Sequence, residues 1–317
     1  MNSDCIDVSD WIEWPAGGTT GSRNKSWLIK PPDFTEAPDT VSIEDFLFKE
    51  SHRNYPVEFW SEIITHEIGN MVGVSTPPTI CAKRGEVYGA LIKSFLKTKV
   101  FKWGDEIEET QTLYHGGDLL LALDPSFDRH KGKTHNIHSV ERVFVEGGKG
   151  AMFSDLLKIL VFDILIGNTD RHQDNWGFTV DDEGGQWGLA PAFDNGGCLG
   201  REIQEIAIPA YLDDKSSTFE KYIRRGKPHM RWSTDGKNLE WLTHFDFLER
   251  LSRQWPEVVE YVRLQTFFSD NQVDEILGRV SATKPQNTIY VLNPERVRFI
   301  KRILCSRRDL MRVRLGV

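Results

Sequence analysis

A chain of 317 residues with 39% hydrophobic and 27% charged residues is long enough for two domains, or for two lobes around a cleft, and has the make-up of a globular protein rather than a disordered or fibrous one. A net charge of -8 argues against direct nucleic-acid binding, which needs clustered cations to neutralise phosphates. No run approaches the ~18 apolar residues of a membrane span, and no basic-then-apolar signal pattern opens the chain, so a cytoplasmic location without membrane contact is expected.

The first segment, Asp10 to Pro15, reads as a short extended piece stopped by proline. Residues 16–26 then combine glycines, hydroxyls and two cations, with Gly18, Thr19, Thr20, Gly21 and Ser22 at their centre. Glycines let backbone N–H groups approach phosphate oxygens, and hydroxyls and cations complete such a cradle. The string matches neither G-x-x-x-x-G-K-[ST] nor a strict G-x-G-x-x-G. Trp27 to Pro32 is β-like, and Lys30 at its end is the candidate for a lysine that contacts nucleotide phosphates.

Residues 33–55 read as an irregular connection. Phe59, Trp60, Ile63, Ile64, Ile68, Met71 and Val72 then recur at three- and four-residue steps, which predicts a helix that Gly73 stops. Glu62, in preference to Glu67, is the carboxylate on this helix that would fix the strand lysine, since an ammonium held by a carboxylate can be aimed at phosphate. Thr79 to Ala82, a turn at Lys83–Glu86 and Val87 to Phe95 predict a hairpin. Its second strand runs into a hinge, where backbone groups of Lys93 to Phe95 would meet an adenine edge.

Residues 97–137 are polar and mixed. His115, His130, His135 and His138 fall in or just beyond them, without the i, i+4 spacing of a helical metal site. The four cysteines, Cys5, Cys81, Cys198 and Cys305, are far apart and form no C-x-x-C pair, so free thiols are expected. The strongest helical pattern places Phe153, Leu156, Leu157, Leu160, Val161, Ile164 and Leu165 on one face, predicting the buried central helix of a large lobe.

That helix delivers Asp170, with Asn175 five residues on. A hairpin (Trp176 to Val180, a turn over residues 181–185, Trp187 to Leu189) then brings back Asp194. Carboxylate, carboxamide and carboxylate make a phosphoryl-transfer set: Asp170 orients or deprotonates a hydroxyl, while Asn175 and Asp194 hold Mg²⁺ against nucleotide phosphates. His172 either supports the loop through hydrogen bonds or stabilises charge at the phosphate. Arg171 is expected to pair the nucleotide or Asp194, and Asp174 to be exposed. After Gly200 a polar stretch to Lys237 contains Tyr211 to Ser217, which reads as a loop near the substrate side, and helical periodicity over residues 241–255, 257–268, 271–280 and 293–313 completes the large lobe. The cationic run of Arg296, Arg298, Lys301, Arg302, Arg307, Arg308, Arg312 and Arg314 reads as a solvated helix face.

Asp170-Arg171-His172-x-x-Asn175 resembles the catalytic loop of HipA-like and phosphoinositide-type kinases, and Leu189-Ala190-Pro191-Ala192-Phe193-Asp194 resembles the metal-binding segment of HipA-like serine/threonine kinases. Trp27-Leu28-Ile29-Lys30-Pro31-Pro32 and Ser61-Glu62 are similar to that family's lysine strand and helix glutamate. The resemblance spans about Gly17 to Gly196 and implies an α+β, two-lobed protein-kinase-like fold: a small β-rich nucleotide-binding lobe (1–96) and a large, mainly α-helical catalytic lobe (97–317). It implies ATP and Mg²⁺ as cofactors, a protein hydroxyl as acceptor (in this family commonly on a tRNA synthetase), a DNA-binding antitoxin as partner, and regulatory phosphorylation of the glycine-rich loop. The chain starts almost at that loop and so resembles the shorter members that lack an extra N-terminal subdomain. A lipid or small-molecule kinase, or a silent kinase-fold scaffold, are the other classes compatible with these motifs.

Overall fold

The computed structural model describes residues 5–13, 24–31, 40–101, 107–181, 185–233 and 238–317. Gly18, Thr19, Thr20, Gly21 and Ser22 lie outside the described residues, as do residues 182–184 of the hairpin turn.

Strands β1 (Ile6–Asp7), β2 (Ile12–Glu13), β3 (Lys25–Ile29), β4 (Thr40–Ile43) and β5 (Asp45–Glu50) precede helix α1 (Phe59–Val72), and β6 (Thr79–Arg84) and β7 (Val87–Lys93) follow it. Six of them form one sheet in the order β1-β6-β7-β5-β3-β2. The strand β5 arises in the segment read as an irregular connection. It pairs antiparallel with β3 on one side and β7 on the other, so Lys49 sits opposite Lys25 and Ala90. Its Phe48 packs with Val8, Leu28, Ala82 and Leu91 in a small core. On α1 the apolar positions Phe59, Trp60, Ile63, Ile64 and Ile68 are buried as their spacing requires. Gly73 ends the helix in the left-handed region, φ 74°, with its N–H on Gly69 O.

The expectation of four free thiols is corrected by a disulfide between Cys5 and Cys81, whose Cα atoms lie 4.9 Å apart. Ile6 pairs with Ala82 in the parallel β1–β6 ladder, and this register sets the preceding two residues side by side. A thiol titration of the denatured, unreduced protein should therefore count two reactive groups, Cys198 and Cys305. A count of four would overturn the pairing.

The larger half contains β8 (Thr98–Phe101), β9 (Ile107–Glu109), β10 (Gln111–His115), α2 (Gly116–Leu123), α3 (Ile137–Glu146), α4 (Gly150–Ile166), β11 (Gly177–Asp181) and β12 (Trp187–Leu189). Then come α5 (Ile208–Leu212), α6 (Thr218–Arg225), α7 (His244–Gln254), α8 (Glu257–Gln265), α9 (Asp270–Ala282) and α10 (Pro294–Leu315). The fold is α+β and two-lobed, with a sheet-rich N-terminal part and a helical C-terminal part. Strand pairing of β4 with β8 crosses the expected boundary at residues 96 and 97. The polar stretch after Gly200 carries α5 and α6, and residues 213–217 of the expected loop connect them. All seven apolar positions predicted for α4 are buried, and α3, α8 and α10 pack around that helix. The C-terminal helices also support the small lobe: α1 rests on α9, and Trp60 Nε1 donates to Tyr290 O at 2.7 Å. Among the described residues no helix is long and apolar enough to cross a membrane.

Candidate active site

Helix α4 stops at Gly167, whose φ of 71° reverses the chain, and the following loop is fastened back to the helix by a buried carboxylate. Asp163 is 3% exposed and receives Arg171 as a two-pronged ion pair, Nε to Oδ2 at 2.9 Å and NH2 to Oδ1 at 2.7 Å. Arg171 NH1 donates to Asn175 O at 2.9 Å and to Phe193 O at 2.5 Å, and NH2 donates to Asn195 Oδ1 at 2.7 Å. One guanidinium thus ties the helix, the catalytic loop and the segment bearing Asp194 into a single body. The pairing with Asp163 replaces the expected pairing with nucleotide or Asp194. The planar fork explains why an arginine stands here, since a lysine could not satisfy four partners at fixed angles.

Within the loop Asn168 Oδ1 accepts the Asp170 N–H at 3.0 Å, and Asn175 Nδ2 donates to Asp170 O at 2.7 Å. Because the Asn175 NH2 group is spent on the loop itself, its oxygen is the end left for a metal. Asp194 has φ 54°, a left-handed conformation that aspartate tolerates better than most side chains, and its carboxylate is 30% exposed. Two protein oxygens are too few for a closed metal cage, and they suit Mg²⁺, which keeps several waters and binds phosphate oxygens.

The lysine that faces this set is Lys49. Its Nζ lies 2.5 Å from Glu62 Oε1 and 2.5 Å from Asp194 Oδ1, with the lysine and glutamate side chains 6% and 4% exposed. The other Glu62 oxygen accepts the Asn195 N–H at 2.9 Å. Lys30, the expected lysine, lies one residue beyond the end of β3, is exposed, and stands beside Glu44. The physical reason is the direction of the side chains: the Lys49 ammonium on β5 is enclosed between Glu62 and Asp194, whereas Lys30, at the end of β3 with its N–H on Glu44 O, has its side chain in solvent. The signal missed in the sequence is Phe46-Leu47-Phe48-Lys49, an apolar run ending in lysine just ahead of α1. Glu67, the competitor of Glu62, is turned to Arg279 on α9.

At the hinge, Lys93 N–H is used by Pro78 O and Ser94 N–H by Asp45 O, so the Lys93 amide is not free for an adenine. Phe95 has no such backbone bond among the described residues, and its ring packs on Phe193 at 5.4 Å, beside Asp194. His172 Nδ1 accepts the Asp174 N–H at 3.1 Å, the loop-supporting alternative. Its ring meets His229 at 5.9 Å, and His229 in turn meets His135 at 5.7 Å. Asp174 is an ion-pair partner of Arg129 rather than a bare surface group, and Gln173 Nε2 donates to Arg129 O. Arg129 therefore buttresses the loop that bears Asp170 and Asn175 from outside.

Two buried histidines make the fold acid-sensitive. His244 Nε2 lies 2.9 Å from Asn168 O, and its Nδ1 faces Arg307 NH2 at 2.8 Å, so protonation would set two donors against each other. Burial first, then Arg307, holds its pKa well below the ordinary value. His135, which accepts from Trp176 Nε1, is likewise lowered by burial first and then by His229 and His172. Below pH ~6.5 the unfolded chain binds protons that the folded one does not, so each histidine costs up to about 1.4 kcal/mol of stability per pH unit on acidification. Urea midpoints at pH 7.5 and 5.5 check this. A midpoint that does not fall at pH 5.5 would contradict it.

An interior-strand lysine held by a helix glutamate, facing a loop aspartate and asparagine and a returning aspartate, belongs to the two-lobed protein-kinase-like fold. The chain belongs to the HipA-like C-terminal domain family, which matches residues 6–219, more than half its length. It is similar to the serine/threonine-protein kinase CtkA of Helicobacter pylori strain J99, 26% identical over 253 residues that span 75% of this chain and 67% of that protein. The crystal structure of the H. pylori proinflammatory kinase CtkA matches with a TM-score of 0.72 over 98% of both chains at 18% identity. HipA from Shewanella oneidensis MR-1, in its complex with HipB and operator DNA, matches with a TM-score of 0.52 over 94% of this chain and 67% of that one, at 12% identity. At these identities the structural matches speak for the fold.

Proposed function

We propose that the protein is a serine/threonine kinase that transfers the γ-phosphoryl group of ATP to a protein hydroxyl. The observation that carries this reading is the Lys49 ammonium between Glu62 and Asp194, bound through Arg171 to the loop bearing Asp170 and Asn175. With ATP bound, Lys49 would turn from Asp194 to the phosphates while Glu62 keeps it aimed, and Asp194 and the Asn175 amide oxygen would be the residues that hold Mg²⁺. Mg²⁺ bound there supplies charge neutralisation at the phosphate oxygens. Asp170 accepts the hydroxyl proton as the acceptor oxygen bonds to the γ-phosphorus and the bond to the ADP oxygen breaks. Phe95 N–H is the hinge donor for the adenine. Kinship with CtkA supports the serine/threonine acceptor. A tRNA synthetase as substrate, an antitoxin partner and phosphorylation within residues 18–22 rest on the family resemblance alone.

The test is γ-labelled ATP with purified protein and a cell lysate. Label should appear on protein in a Mg²⁺-dependent manner, and Asp170→Asn should lower the rate by about a hundredfold or more while ATP affinity is retained. Undiminished labelling in that variant would reject the role of Asp170, and no labelling by wild type would reject the kinase reading.

A further inference from the structure

Behind the catalytic loop lies a cavity of about 340 Å³ whose wall includes Thr169, next to Asp170, and Gly197. A side chain at Gly197 would meet Asp170 Cβ at 2.7 Å, so this wall stands directly against the aspartate. On the far side is Arg307, expected on a solvated helix face but in fact 3% exposed. Three arginines are fully enclosed among the described residues, and two have a carboxylate: Arg171 has Asp163 and Arg296 has Glu205. Arg307 has none. Its guanidinium donates to Ile164 O at 2.5 Å, to His244 Nδ1 at 2.8 Å and, at a long 3.4 Å, to Ile223 O, which leaves N–H groups unused. Burial pulls its pKa down to about 10, the mark of a cation enclosed without a counter-charge.

A buried charge without an opposite charge is costly, and a cavity beside it that can admit an anion relieves that cost. The rim adds two more cations, Arg225 and Lys227, neither of which has a carboxylate partner among the described residues; Lys227 lies over the Trp241 ring at 5.3 Å. Against these three stands one lining carboxylate, Glu202, which already accepts from Tyr222 OH at 3.1 Å. We infer that this cavity receives an anionic side chain of the protein substrate, a carboxylate or a phosphate carried within a few residues of the acceptor hydroxyl. Arg307 forms the floor of the site, and Arg225 and Lys227 are its specificity-determining rim. This deepens the kinase reading and rests on it for the identity of the ligand as part of a substrate. The anion site itself is measurable without catalysis.

The deciding experiment is calorimetric titration of the nucleotide-free protein with inorganic phosphate, O-phosphoserine amide and glutamate amide, each against chloride at equal ionic strength. Saturable binding is expected, weakened at least tenfold in the double variant Arg225→Gln/Lys227→Gln. Both positions are exposed, so the variant is chosen to fold; Arg307→Gln risks unfolding and is not relied upon. Comparison of the two amides separates phosphate from carboxylate ligands. In parallel, serine peptides flanked by glutamate or phosphoserine should be labelled from ATP with at least tenfold higher kcat/KM than glutamine-flanked ones, and the double variant should lose that preference. Absence of anion binding beyond the chloride control, or binding or preference unchanged in the double variant, overturns the inference. ATP affinity measured on the same samples keeps the two proposals apart: ATP binding and labelling without an anion isotherm sink only this one, and an anion isotherm without ATP binding or labelling sinks the kinase reading and with it the ligand's identity as part of a substrate, leaving the anion site alone.

Discussion

Replacing Lys49 with methionine is expected to lower phosphoryl transfer by about a thousandfold, whereas Lys30→Met should leave it within about twofold of wild type. The contrast follows from geometry. Lys49 is enclosed between Glu62 and Asp194, so its charge acts at short range in a site with little water to screen it. Removing it also leaves the Glu62 carboxylate, 4% exposed, without its cation. Lys30 is exposed beside Glu44, where water screens its charge. Steady-state kcat/KM for ATP in the two variants decides between them, and comparable losses from both would return Lys30 to the site.

The second large effect is on stability. Arg171→Met should destabilise the protein by roughly 3–5 kcal/mol, because Asp163 and three carbonyl-type oxygens lose a buried donor together. Arg171→Lys keeps the charge but not the fork, and is expected to recover only part of the loss. Urea unfolding followed by tryptophan fluorescence measures both. The exposed ion pair of Arg263 with Glu260 provides the contrast, since its removal should be nearly silent. A loss at Arg171 no greater than at Arg263 would show that the loop does not depend on this contact.

The sequence made the loop-and-hairpin half of the candidate site legible and hid much of the lysine half. Asp170, Asn175 and Asp194 lie on a loop and a hairpin that follow one strongly periodic helix, so local signals alone set them near one another. Glu62 was legible for the same reason, on an amphipathic helix with a glycine stop. Lys49 was not, because β5 is six residues long and gains its meaning from pairing with β3 and β7, which periodicity cannot reveal. Asp163 carries no motif of its own within an apolar helix, and its partner is eight residues away in the loop that follows. The Cys5–Cys81 pairing spans 76 residues and depends on a two-residue parallel strand. The polar stretches around residues 97–137 and 200–237 concealed short strands and helices whose amphipathic signal is too brief to stand out. Arg307 shows the limit of reading charge as surface: eight cations on one helical stretch cannot all face water when the helix packs on six others.

The two oxygens of Glu62 grip different halves of the molecule, one holding the lysine on the sheet and the other the amide of Asn195 across the gap. Tilting the small half away from the large one must therefore unhook that amide and part Lys49 from Asp194 in the same movement. That one carboxylate links the sheet lysine, helix α1 and the segment bearing Asp194, so anything that leans on α1 from outside reaches Asp194 without touching it.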